Sequence, residues 1–121
     1  MYIRFAIGAD DENPRDMHDP LTEAAHLKSN DLLAPYEEEL VDSIFEKFND
    51  ELPCPPWGNK NWPSDAISWF KVSAQNFIAL MYDLIAILKE HDVQIQILKS
   101  DYLFKIYYED AFQVIAVDKR F

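Results

Sequence analysis

At 121 residues, with 49% hydrophobic and 14% aromatic content, the chain suits one folded domain, since domains commonly run to about 100–150 residues. A formal net charge of −11 repels phosphate backbones and anionic membranes, so no direct binding of nucleic acid or membrane is expected. Two glycines, Gly8 and Gly58, exclude a glycine-rich phosphate loop, and the one cysteine, Cys54, excludes an intrachain disulfide and a cysteine zinc knuckle.

The first expected element is a strand over Tyr2–Ile7, rich in β-branched and aromatic residues and closed by Gly8. Residues 9–20 form an acidic loop with Asp10, Asp11, Glu12, Asp16 and Asp19, punctuated by Pro14 and Pro20. A short helix follows over residues 21–30, with Asp19 placed to cap it and Asn30 to close it. Residues 35–52 predict a longer helix that opens on Pro35 and on Glu37, Glu38 and Glu39, which suit the positive end of its dipole. Tyr36, Leu40, Val41, Ile44, Phe45, Phe48 and Leu52 fall on one stripe at helical spacing, and Glu39, Asp42, Glu46 and Asp50 line the other.

Residues 53–63 hold four prolines and cannot be regular, yet they carry Trp57 and Trp62. Residues 66–70 fit a strand or the first turns of the next helix; the strand is preferred, followed by a helix over 73–92 with Ser73 as its N-cap and Phe77, Leu80, Met81, Leu84, Ile85 and Leu88 on its apolar stripe. With a strand over 93–98 this makes a parallel, right-handed βαβ crossover. Residues 103–108 and 112–117 read as a hairpin turning at Glu109-Asp110-Ala111. The expected architecture is therefore a single α+β domain: one mixed sheet of four to five strands, flanked by about three helices, with a C-terminal β-hairpin in the sheet and Tyr2–Ile7 paired within it too.

The opening strand, the Pro35-Tyr36-Glu37-Glu38-Glu39-Leu40 helix start, the Ala66-Ile67-Ser68-Trp69-Phe70-Lys71 segment and the run from Tyr107 to Ala116 resemble a group of small bacterial proteins with no assigned activity. The resemblance covers most of the chain and is most specific at Trp69-Phe70 and over 109–116. It supplies no functional residue. The group's pattern has a glycine where Asp92 stands, and Pro-Gly where Asp101 and Tyr102 stand.

The acidic loop offers oxygen ligands, but its spacing is not that of an EF-hand and Pro14 interrupts it, so no metal site is expected. His18, His26 and His91 form no i, i+4 pair. Cys54 has no base near it in sequence. Glu109 and Asp110 make a carboxylate pair at the hairpin tip, better read as a turn than as an acid and a base. No cofactor and no enzymatic activity are expected. The nominal N-terminal apolar run is too short for an export signal and turns acidic, and no run approaches the ~20 residues of a membrane span, so the cytoplasm is the expected compartment.

The functional expectation is an acidic protein-interaction or regulatory module for a basic protein. Its contact residues are Trp57 and Trp62 in the proline-rich loop, Asp50 and Glu51 beside it, and Glu39, Asp42 and Glu46 along the acidic stripe. Trp57 and Trp62 also fit a lid packed on the core. One alternative is an inhibitor that presents this stripe, with Asp10, Asp11 and Glu12, in place of nucleic-acid phosphates. A second is an ADP-ribosyl-transferase-like enzyme using a strand-end glutamate, although no other determinant of that chemistry is present. Oligomeric state is open at this level.

Overall fold

The fold is seen in a computed structural model that describes residues 1–7, 19–56, 62–63 and 66–117. Eight elements follow one another: β1 (Tyr2–Ile7), α1 (Pro20–Ser29), α2 (Pro35–Glu51), β2 (Ile67–Lys71), α3 (Gln75–Glu90), β3 (Ile95–Ser100), β4 (Lys105–Glu109) and β5 (Gln113–Val117). The strands form one five-stranded sheet in the order β3-β1-β2-β5-β4. The α+β class, the single sheet and the C-terminal hairpin are as the sequence predicts.

The sheet is antiparallel at every pairing, not mixed. The expected βαβ crossover is present in direction but not in contact. β2 and β3 both run antiparallel to β1 and hence parallel to each other, and β1 lies between them. The N-terminal strand thus fills the gap that a sixteen-residue crossover helix spans. Its registry with β3 runs the full length, from Tyr2↔Ser100 to Ile7↔Ile95, whereas with β2 it covers only Tyr2↔Lys71 and Ile3↔Phe70.

Strand alternation sorts the side chains into two faces. Ile3, Phe5, Phe70 and Ile95 point to one face, where they join Ala24 and Leu27 of α1, Val41, Ile44 and Phe48 of α2, and Phe77, Leu84 and Leu88 of α3. All three helices therefore pack on this face. Trp69, Val114 and Ala116 point to the other, with Tyr2, Ile67 and Leu98 beside them and Leu103 packed on top. Leu103 was expected to begin a strand; it is a buried cover instead, and β4 starts at Lys105. Tyr107 is bulged between Ile106↔Ala116 and Tyr108↔Ile115, which increases the local twist of this edge.

Helix ends follow their residues. Asp19 caps α1 by accepting from Leu21 N–H at 2.8 Å, and Asn30 is its C-cap. Ser73 does not cap α3; that position is Ala74, with no side-chain hydrogen bond. At the other end of α3, Val93 N–H donates to Leu88 O and Asp92 N–H to Lys89 O, the paired bonds of a Schellman motif. The same pair closes α1, from Leu32 to Leu27 and from Asp31 to Lys28. The left-handed residues are Asp92, with φ 61°, and Asp31, with φ 55°. Since a Cβ is unfavourable there by about 1 kcal/mol, Asp92→Gly and Asp31→Gly should each raise the melting temperature by a few degrees. A fall in thermal scans would contradict the motif.

Candidate functional site

α2 divides cleanly by side. Glu37, Val41, Ile44 and Phe48, spaced four, three and four apart, are its buried residues. Glu39, Asp42, Glu46 and Asp50, spaced three, four and four apart, are all exposed. At about 100° per residue these two sets lie on opposite sides of the helix. The 17-residue helix carries seven carboxylates against one lysine, net −6, more than half of the charge of the whole chain. Asp42 is partly neutralised by Lys28 of α1, 2.5 Å away. Glu51 is exposed at the end of the helix, next to Asp50.

The acidic cluster at the start of α2 is not all alike. Glu37 is only 4% exposed. One of its oxygens accepts from Ala34 N–H at 2.9 Å, and both oxygens stand 3.0 Å from His91 Nε2 at the C-cap of α3. A carboxylate has no hydrogen to give, so Nε2 is the donor. The Ala34 N–H first, and His91 after it, hold the Glu37 carboxyl below its usual range against the opposing effect of burial. The pair ties the first turn of α2 to the last turn of α3.

α2 and α3 run antiparallel here, with Tyr36 Oη 3.4 Å from Glu90 at one end and the Phe48 ring against that of Phe77 at the other, and a groove of about 480 Å³ opens between them. Tyr36 and Leu40, expected in the buried stripe, are 61% and 51% exposed and stand on the lip of this groove. They occupy the edge of the stripe nearest the acidic side, and Tyr36 reaches α3 by its hydroxyl, 3.4 Å from Glu90 Oε2.

Trp62 is half-buried, its ring 6.3 Å from that of Tyr108. Trp57 lies outside the described residues, as do Asp10, Asp11 and Glu12. Near Tyr108 stands a buried polar hub. Gln113, 3% exposed, donates from Nε2 to Pro53 O at 2.8 Å and to Asp110 Oδ2 at 3.1 Å, and its Oε1 accepts from Ser68 Oγ at 3.2 Å. Asp110 also accepts from Phe112 N–H, Gln113 N–H and Tyr108 Oη. Burial alone would raise the Asp110 carboxyl; the Phe112 N–H, the Gln113 side chain and the Tyr108 hydroxyl outweigh it and hold it below its usual range. Glu109 is paired with Lys71 at 2.5 Å. The two hairpin-tip carboxylates thus serve the turn and the sheet.

A second cleft, of about 490 Å³, opens where β1 and β2 part, lined among others by Arg4, Phe48, Leu52, Cys54, Ser68 and Gln113. Ser68 and Gln113 are bonded to each other there, and Cys54 is exposed with its thiol 3.6 Å from Pro55 O. Among the described residues no three His, Cys, Asp or Glu side chains are grouped to hold a metal ion, and no helix is long and apolar enough to cross a membrane.

Sequence reasoning missed Glu37 and Gln113 as buried polar groups. Only the position of Glu37 three residues after Ala34, the reach of a capping box, gave a hint. Compared with protein-family models, curated proteins and solved structures, the chain matches none. The functional argument therefore rests on its own residues.

Proposed function

We propose that this chain is a cytoplasmic protein-binding module that docks a basic protein on the outer face of α2 and acts by occupancy, not by catalysis. The observation that carries this reading is the exposed row Glu39, Asp42, Glu46 and Asp50 on the side of α2 opposite its buried residues. Complementary charge of this kind speeds encounter and selects partners by sign. Supporting the non-catalytic part, Glu37, Asp110 and Gln113 are each engaged in holding elements together. Asp50 and Glu51 carry the proposed surface to the C-terminal end of the helix.

A narrower version has the partner be a nucleic-acid-handling protein, with carboxylates in place of phosphates. The row favours it by its regularity: spacings of three and four residues give steps of about 4.5–6 Å along the axis, a repeated line of carboxylates of which Asp42 is paired with Lys28. The expected result is capture of a basic protein by the parent and loss of that capture by Glu39→Lys/Glu46→Lys, with an unchanged melting temperature because both side chains are exposed. Equal capture by both would remove the proposal. Displacement of the captured protein by duplex DNA separates the narrower version from the general one.

A further inference from the structure

We infer that the groove between α2 and α3 receives an amphipathic, basic α-helix of the partner protein. This deepens the proposal for the acidic face of α2 and rests on it.

The groove is apolar along its floor and open at the top. Ile44 and Ile87 form the floor, and Tyr36, Leu40, Leu80 and Ala86 form its walls. It follows α2 from Tyr36 to Lys47 and α3 from Leu80 to Glu90, a run of about 15 Å or three helical turns. Large apolar side chains at half exposure or more, Tyr36 at 61% and Leu40 at 51%, are the features that a helix in a groove uses as anchors.

Charge selects the occupant. On the α3 side the groove is lined by Asp83 and Glu90; on the α2 side its one charged lining residue is Lys47, and the exposed Glu39 and Glu46 lie further round the helix, beyond Tyr36 and Ser43. Carboxylates along the α3 rim, with the acidic outer face of α2 beyond the other, match a helix that carries Lys or Arg beside its apolar stripe. A second copy of this chain, at net −11, would bring acid against acid. Lys47 is the exception: it is the one cation that lines the groove, at the end of the α2 side away from Tyr36. A bound basic helix must place a neutral or acidic residue there, so Lys47 sets polarity and register.

The test uses a synthetic 18-residue leucine–lysine helix, leucine on one stripe and lysine on its flanks, titrated into the full-length protein with amide chemical-shift mapping. Saturable binding is expected, with shifts concentrated at Tyr36, Leu40, Ile44, Leu80, Ala86 and Ile87. Leu40→Glu should weaken it by about tenfold or more, as loss of a central anchor does, and Lys47→Glu should strengthen it. A scrambled peptide of the same composition should bind more weakly. Absence of saturable binding up to millimolar peptide overturns the inference. So does binding that Glu39→Lys/Glu46→Lys weakens but Leu40→Glu does not; the acidic face then stands without the groove. Loss with Leu40→Glu but not with charge reversal would keep the groove and remove the acidic face. A concentration-dependent dimer abolished by Leu40→Glu would assign the groove to a second copy and likewise overturn the inference.

Discussion

Glu37→Ala should lower the unfolding free energy by about 2–3 kcal/mol at neutral pH, because it removes the hydrogen bonds that a buried carboxylate accepts from Ala34 N–H and His91 Nε2. Two losses combine: the N–H of Ala34 gives up its acceptor, and the α2–α3 tie is cut. His91→Ala should cost nearly as much, since it leaves a buried carboxylate with one partner fewer. The double variant should cost less than the sum, because the two residues share one interaction. Acid should act in the same direction. The Glu37 carboxyl titrates below its ordinary range in the native state, so the stability it contributes is complete above its unfolded-state value of about 4.3. That stability is lost as pH falls below this value and through the native one. Denaturant unfolding at neutral pH and at steps down to about pH 2 checks both parts. The Glu37→Gln variant, which has no charge to lose, should show a shallower acid limb. An identical limb would remove Glu37 from the account of acid stability.

Gln113→Leu should be similarly damaging, although leucine fits the volume and the site is buried. The substitution removes the hydrogen bonds to Pro53 O, Ser68 Oγ and Asp110 Oδ2, and each such bond contributes about 0.5–1.5 kcal/mol. Gln113→Glu should be worse at neutral pH. A glutamate cannot donate to Pro53 O, and it brings a second carboxylate against Asp110, which Gln113 Nε2 now contacts at 3.1 Å. Part of that loss should return on acidification, as one of the two carboxyls accepts a proton. Urea unfolding of the three proteins across pH measures this ordering. A Gln113→Leu protein as stable as the parent would mean that the hub does not hold the Pro53 segment to β5.

Local chemistry accounts for what could be read in advance. Tyr2–Ile7 is a strand at the expected residues, and Pro35 opens α2 at N1, because both depend on residue type and on near neighbours. Asp19 and Asn30 bound α1 for the same reason. The misreadings arise where a distant element decides. The insertion of β1 between β2 and β3 joins residues almost a hundred positions apart, Tyr2 and Ser100 among them, and no periodicity encodes it. Glu37 and Gln113 look like surface residues until partners 54 and 60 positions away cover them. Tyr36 and Leu40 satisfy the helical stripe but lie at its margin, and the distance between α2 and α3 decides that they stay exposed. In the candidate surface, Glu39, Asp42, Glu46 and Asp50 were legible because a helical period alone groups them. The adjoining groove was not, since it exists only once two helices pack.

The central claim, that the outer face of α2 docks a basic protein through its carboxylates, is tested most directly by calorimetric titration of the captured partner at low and at high salt. The parent is compared with Glu39→Gln/Asp42→Asn/Glu46→Gln/Asp50→Asn, whose fold should survive because the four side chains are exposed and the Lys28–Asp42 pair is a surface one. Exposed charges are screened beyond a Debye length of about 10 Å at 0.1 M salt. Parent binding should therefore weaken steeply with salt. The neutralised variant should bind at least about tenfold more weakly at low salt and respond little to added salt. Equal affinity of the two proteins at low salt, with equal salt dependence, would contradict the claim.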